Sequence, residues 1–346
     1  MSDVLPLAGF AEPAQLPVKP FTLSADPHAK KPNVAVDEAG TGHFLWDVYV
    51  PYPASDPSVY CRVSRGASAC QKTLVFNLPL ESFGEPQVLT PGGGQVILLT
   101  YRCCGEGEGT YAIVSGDGGE TFGAPHVIGK VEPGQAVYGP GTGVVSLVDD
   151  VVTAGIHYQA APVDGFVDHN ANVGNGPGLQ GYDGTIGFPA PTTPIVAFDD
   201  LTTAFFRAWS GAGDVNDLGT WGPIVPIGPL KELRMATGPK GVVLMGKEHA
   251  DNPYRDVYTA RRFDPATGTF GASTPISDPK VETDVIFRDI FEDGGGNIAA
   301  AFIANGDALR QDRSDALPRV GRRRQDVAAR AHPCRRHRGQ RLQPAD

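Results

Sequence analysis

The stretch Ser115-Gly116-Asp117-Gly118-Gly119-Glu120-Thr121-Phe122 constrains the fold more than any other part of this chain, because its ending recurs. Ser82-Phe83-Gly84, Thr121-Phe122-Gly123, Thr220-Trp221-Gly222 and Thr269-Phe270-Gly271 share a hydroxyl, an aromatic ring and a glycine. Each is followed, five residues after the glycine, by Leu89, Ile128, Ile227 or Ile276. The aromatic residues are 39, 99 and 49 residues apart, the middle step being about twice the others, as if one copy had decayed. A period of roughly 40–50 residues predicts the blades of a propeller or a similar repeat.

The text between these copies reads as short strands. Residues 33–37 alternate, 38–40 turn the chain, and 43–50, 58–63 and 72–78 follow at short spacing, the content of one four-stranded blade. A second unit runs through 95–101, 110–115 and 124–128, and a third through 143–148 and 151–159. A fourth has 194–198, 203–209 and 221–227, and a fifth has 233–237, 242–246, 256–263 and 270–276. A sixth begins at 285–291 and 297–303. Helical periodicity is nearly absent, so the expected fold is an all-β propeller of about six four-stranded blades, the last incomplete. Closing such a ring hides strand edges that an open row of hairpins would expose. The one long irregular segment, residues 160–182, carries Asp164, Asp168 and many glycines, and long loops in compact domains are commonly functional.

Composition sets the domain limits. Glycine (44) and proline (31) punctuate apolar runs along the 346 residues rather than clumping, so they read as turns. Residues 1–31 form a Pro- and Ala-rich arm without a basic-then-apolar leader, residues 32–309 the propeller, and residues 310–346 an Arg-rich tail. Residues 1–309 carry a net charge of −17, which argues against nucleic-acid binding, and the tail carries +7. No run approaches the ~18 apolar residues of a membrane helix. The tail reads best as out of frame. Arg323-Arg324-Gln325-Asp326-Val327 can be encoded CGG CGG CAA GAC GTG, which one nucleotide later reads Gly-Gly-Lys-Thr-Trp. With the residues allowed before it, that text is a further copy of the opening motif, 57 residues after Phe270. Sequencing the gene around the codons for Ala308 to Gln311 tests this: an uninterrupted frame with a natural stop after Asp346 removes the idea. Cys334 has no evolved role in that reading.

Physically the opening motif is a hairpin device. Asp117 precedes two glycines, a pattern in which a carboxylate accepts backbone N–H groups while glycine takes positive φ. Thr121 and Phe122 then start the next strand, and the ring can pack on the hairpin base. A calcium loop needs several oxygen donors at alternate positions, and the Ser115–Gly119 turn has one acidic side chain, so no metal is expected. The motif resembles the Asp-box, or bacterial neuraminidase repeat, of sialidase-like β-propellers. Only Ser115, Asp117, Gly119, Thr121 and Phe122 match it in full. The copies ending at Phe83, Trp221 and Phe270 lack the Ser-x-Asp half. The resemblance implies the fold of residues 32–309 and places the Asp-box at the blade periphery, away from the active-site face.

Sialidases of this family clamp a carboxylate with three arginines and use a Tyr–Glu nucleophile and an aspartate acid/base. Guanidinium forks suit that task because they bind carboxylates bidentately. The family's Arg-Ile-Pro motif is absent; the nearest text is Arg62-Val63-Ser64-Arg65. Candidate binding residues are therefore Arg102, Arg207, Arg234 and Arg288, which lie on strand-like segments that can feed the central funnel, with Asp164 and Asp168. No catalytic residue stands out among Tyr101, Tyr138, Tyr158 and Tyr182, and the eight histidines are scattered. Cys61 and Cys70 flank a turn, so a disulfide across that hairpin and an oxidising compartment are expected. Cys103 and Cys104 alternate to opposite faces, either reduced or in a strained bond between neighbours. The expectation is an extracellular, monomeric, cofactor-free propeller that binds a carbohydrate or cell-surface ligand. An exo-α-sialidase with an Arg-lined funnel is the alternative, and a structural or adhesion propeller the second alternative.

Overall fold

The computed structural model describes residues 21–306, except 52–53, 104, 140–142, 150–154, 175, 177–178, 180, 252–253, 277–281 and 293–297. The Arg-rich tail and residues 1–20 of the arm lie outside the described residues. The chain is an all-β propeller whose blades are antiparallel meanders. Blade 1 comprises β1 (Ala29–Val36), β2 (Gly42–Val48), β3 (Ser58–Val63) and β4 (Lys72–Phe76). Blade 2 comprises β5 (Glu81–Gly92), β6 (Gln95–Cys103), β7 (Gly109–Ser115) and β8 (His126–Gly129). Blade 3 comprises β9 (Gln135–Tyr138), β10 (Val144–Val148), β11 (His157–Pro162) and β12 (Ala171–Asn172). Blade 4 comprises β13 (Tyr182–Ala190), β14 (Thr193–Asp199), β15 (Ala204–Ala208) and β16 (Val225–Gly228). Blade 5 comprises β17 (Leu230–Gly238), β18 (Gly241–Asp251), β19 (Tyr254–Asp264) and β20 (Thr269–Phe270), with β21 (Thr274–Pro275) also on β19. A sixth sheet pairs β22 (Glu282–Glu292) with β23 (Ile298–Gly306).

The continuous apolar text of the second strands follows from burial on both faces. In β6, Val96 and Leu98 pack with Leu45 and Tyr60 of blade 1. Ile97 and Leu99, of opposite parity, pack with Ala136, Val145 and Leu147 of blade 3. In β14, Val196 and Phe198 join Val148 and Tyr158 of blade 3, and Ile195 and Ala197 join Leu230 and Leu244 of blade 5. Each wall between blades is thus a sheet-on-sheet core.

The recurring aromatic ending occupies one structural position in three of its four copies. Gly123, Gly222 and Gly271 each donate N–H to the end of the third strand, to Val114, Ala208 and Arg262, at 2.9, 2.8 and 2.9 Å. The preceding rings pack on the blade before: Phe122 on Tyr60 and Phe76, Trp221 on Tyr158, Phe270 on Phe206. Ser82-Phe83-Gly84 is different, because it lies within β5, the first strand of blade 2. In blade 1 the equivalent bond is Gln71 N–H to Arg62 O at 2.9 Å, so Cys70 stands where blades 2, 4 and 5 carry the ring. Cys70 is disulfide-bonded to Cys61 with Cα atoms 5.6 Å apart. Cys103 is also disulfide-bonded. Blade 3 lacks the aromatic ending, which accounts for the double step from Phe122 to Trp221.

Candidate functional site

In an antiparallel blade the start of strand one, the end of strand two and the start of strand three lie at one end. Register places them together: Tyr182 pairs Asp199, and Asp199 pairs Ala204. The third-to-fourth turns, including residues 115–122, lie at the other end. The first end is acidic. Asp47, Asp149, Asp199 and Glu248 stand at or just beyond the ends of the second-strand ladders of blades 1, 3, 4 and 5.

The innermost strands supply a second set of groups. Register breaks between Lys30 and Asn33 in β1, between Tyr182 and Thr185 in β13, and between Lys231 and Arg234 in β17. Within these bulges, Lys31 (φ 53°), Asp183 (49°) and Glu232 (55°) adopt the left-handed conformation. Bulges re-aim side chains, and non-glycine residues at positive φ persist only where their surroundings over-determine them. For Glu232 the determinant is Asp199, which is 0% exposed. One Asp199 oxygen accepts Leu201 N–H at 2.8 Å and the other accepts Glu232 N–H at 3.1 Å. Burial, then the charge of Asp183, push the Asp199 pKa up to about 7 against those two hydrogen bonds.

Glu232 carries its carboxylate to a surface where its side chain is 42% exposed. Tyr258 donates its hydroxyl to Glu232 Oε2 at 2.6 Å, and Lys247 Nζ lies 3.4 Å from Oε1. Nearby, Glu248 Oε1 accepts from Ser273 Oγ at 2.8 Å and Arg261 Nη2 at 3.1 Å. In blade 3, Asp149 is bonded to His157 through both carboxylate oxygens. The arrangement offers carboxylate acceptors at the surface, held on strand ends rather than on long loops.

The candidate residues from the sequence come from different blades: Arg102 from blade 2, Asp164 and Asp168 from the blade 3 loop, Arg207 from blade 4 and Arg234 from blade 5. Arg102 is 0% exposed in the seam between blades 1 and 2. It donates to Asp56 O at 2.5 Å and Ser58 Oγ at 2.6 Å and lies 3.6 Å from Asp47, whose other oxygen takes the Ser82 hydroxyl. Arg207, on β15, pairs with Val196 of β14, and among the described residues its buried Nε and Nη1 have no hydrogen-bond partner. Burial holds its pKa below the usual arginine range. Arg234 Nη1 donates to Leu233 O at 2.8 Å. Arg288 is on β22, its side chain outside the described residues. Asp164 and Asp168 are exposed on the blade 3 loop, at the end away from the acidic cluster. That loop is a strap: Val167 N–H donates to Ile128 O of blade 2 at 3.0 Å, and His169 bridges Asp168 (3.0 Å) and Asp214 of blade 4 (2.8 Å). The residues missed, Asp149, Asp183, Asp199, Glu232 and Tyr258, had one signal. Val148-Asp149-Asp150 and Phe198-Asp199-Asp200 repeat 50 residues apart, and Glu248 follows 49 later.

Among the described residues, no group of three His, Cys, Asp or Glu is placed to hold a metal ion, and no helix is long and apolar enough to cross a membrane. No protein-family model and no curated protein sequence matches the chain. Solved structures do. A protein of unknown function from Dyadobacter fermentans is similar with a TM-score of 0.56 and 13% identity, over 83% of this chain and 93% of that one. Hydrazine synthase of Kuenenia stuttgartiensis matches with a TM-score of 0.51 and 11% identity, over 89% and 84%. The NanB sialidase of Streptococcus pneumoniae gives 0.49 and 8%, over 85% and 69%. At these identities the likeness is one of fold.

Proposed function

We propose that this protein is a carbohydrate-binding propeller that takes a neutral, polyhydroxylated ligand at its acidic end. The observation that carries the reading is the pair of bulge carboxylates, Asp183 and Glu232, held at positive φ with Glu232 fixed by buried Asp199. Ionised carboxylates accept hydrogen bonds from neighbouring hydroxyls. The same charge repels carboxylated sugars such as sialic acids, which call for a gathered arginine clamp. Arg102 is instead enclosed in the blade 1–2 seam. On this reading the 115–122 turn is an Asp-box with a structural role, and the Cys61–Cys70 disulfide fits an oxidising, extracellular setting.

A second reading, an exo-sialidase, is favoured by one observation: the 2.6 Å hydrogen bond between Tyr258 and Glu232, a phenol–carboxylate pair like the nucleophile implied by the family resemblance. Tyr258 is 0% exposed, which weighs against that role. Calorimetry with neutral and sialylated oligosaccharides separates the readings. We expect binding of a neutral oligosaccharide that falls about tenfold or more in Glu232→Gln, the loss of a charged hydrogen bond. Preference for sialylated probes, or sialyl-methylumbelliferone turnover lost in Tyr258→Phe, overturns the proposal. Binding of neither class supports a structural propeller.

A further inference from the structure

His157 opens the third strand of blade 3 at the acidic end, and its ring is held in one orientation. Nδ1 lies 2.8 Å from Asp149 Oδ2, while Asp149 Oδ1 accepts the His157 backbone N–H at 2.6 Å. A carboxylate only accepts, so Nδ1 carries the hydrogen and the lone pair of the neutral ring is at Nε2. Among the described residues Nε2 has no hydrogen-bond partner, and the side chain is 25% exposed. The ring is therefore oriented at one nitrogen and available at the other, the arrangement that proton-transferring histidines need.

The surroundings favour a proton on that ring. A Cβ on Gly184 would lie 2.3 Å from the backbone carbonyl of Asp149, which brings the Asp183–Gly184 bulge of blade 4 against the end of β10 where Asp149 stands. From blade 2, burial and then Glu108 raise the Tyr101 pKa, with smaller contributions from Glu132 and Asp149, so the phenol lies within electrostatic reach of the pair. The register partner of His157 on β12 is Asn172, which is uncharged. The Asp149 hydrogen bond, opposed by burial, raises the His157 pKa above its usual value.

We infer that Asp149 and His157 form a proton-transfer pair, with Nε2 of His157 taking the proton of a hydroxyl group presented at the acidic end. The hydroxyl belongs to a sugar or to water beside it. In the step, the O–H bond breaks, its electron pair stays on oxygen, and the proton bonds to Nε2. The imidazolium so formed is compensated by the Asp149 carboxylate beside it. The ligand class rests on the reading above; the base and its orientation do not.

Side-chain nitrogen NMR and acylation by diethyl pyrocarbonate, both on the full chain, test this. We expect the neutral His157 ring in the Nδ1–H form, titrating above about 6.5. Acylation of His157 then rises with pH through the same transition. Asp149→Asn lowers that transition and slows acylation at fixed, slightly alkaline pH. A neutral oligosaccharide shown to bind by calorimetry slows it in the native protein. An Nε2–H tautomer, or an unchanged transition in folded Asp149→Asn, overturns the pair. Because tautomer and titration are read on the native protein, they hold even where a variant fails to fold. If no neutral oligosaccharide binds while His157 keeps this tautomer and titration, the ligand class fails and the base stands. If one binds without slowing acylation, the base is not at the ligand site and the inference fails.

Discussion

Gly119 shows how one residue ties a turn to a neighbouring blade. Its φ is 79°, and a Cβ there would lie 1.9 Å from the Tyr60 hydroxyl, which is itself bonded to His43 Nδ1 at 2.7 Å. Beside it, Ser115 Oγ donates to Asp117 Oδ1 at 2.7 Å. Asp117 accepts the N–H groups of Glu120 and Thr121 at 3.1 and 2.9 Å and the Thr121 hydroxyl at 2.6 Å. These bonds hold the Asp117 carboxyl well below the usual range, the Thr121 hydroxyl contributing most. The turn chemistry was legible in Ser-x-Asp-x-Gly, because it is made by atoms within five residues. The docking on Tyr60, 59 positions earlier, was not. Gly119→Ala is expected to cost more than the ~1 kcal/mol of alanine at positive φ, since the Tyr60 contact adds to it; chemical denaturation measures the difference.

At the scale of strands and blades, the aromatic endings act as keys in the preceding blade. Tyr60, Tyr158 and Phe206, on the third strands of blades 1, 3 and 4, receive Phe122, Trp221 and Phe270. Blade 2 offers Ala112 instead, and the blade after it has no key; Val163 and Val167 pack on that cluster. Receptor size therefore matches the presence of the key. Trp221 is 8% exposed. Trp221→Ala is expected to lose about 3–5 kcal/mol, and Phe122→Ala, whose ring is half-buried, about 2 kcal/mol; urea unfolding distinguishes them. In blade 1 a cross-link replaces the key. Replacing Cys61 and Cys70 by serine is expected to cost about 2–3 kcal/mol, read from the shift in unfolding midpoint. Strand existence was legible because apolar parity is local. The innermost strands β5 and β13 were not, since bulge, glycine and proline break their alternation, and β9, four residues long, is too short to show any.

For the whole molecule, stability should depend on pH with a sign set by Asp199, His157 and His169. Each binds its proton more tightly folded than unfolded. For Asp199 the stabilisation is present below the unfolded aspartate value near 4 and is lost as pH rises to about 7. The histidines add a loss of the same sign as pH rises above about 6.5. The stabilisation from the lowered carboxyls of Asp37, Asp117, Asp168, Asp200 and Asp214 is fully present above about pH 5 and is lost only as pH falls below it. Unfolding free energy is therefore expected to fall from pH 5 to pH 8, with a shallower slope in Asp199→Asn; urea titrations at several pH values read it. By itself the sequence determined the blade period, the turns and the two-faced apolar strands, because each arises among contiguous residues. It also offered four arginines as a clamp, but Arg102 is sealed in a seam and Arg207 sits on a strand inside its blade. Only the tertiary structure decided where charge gathers. Asp149, Asp183, Asp199 and Glu232 lie on different strands of three blades, and an electrostatic cluster depends on distances set by packing one blade against the next.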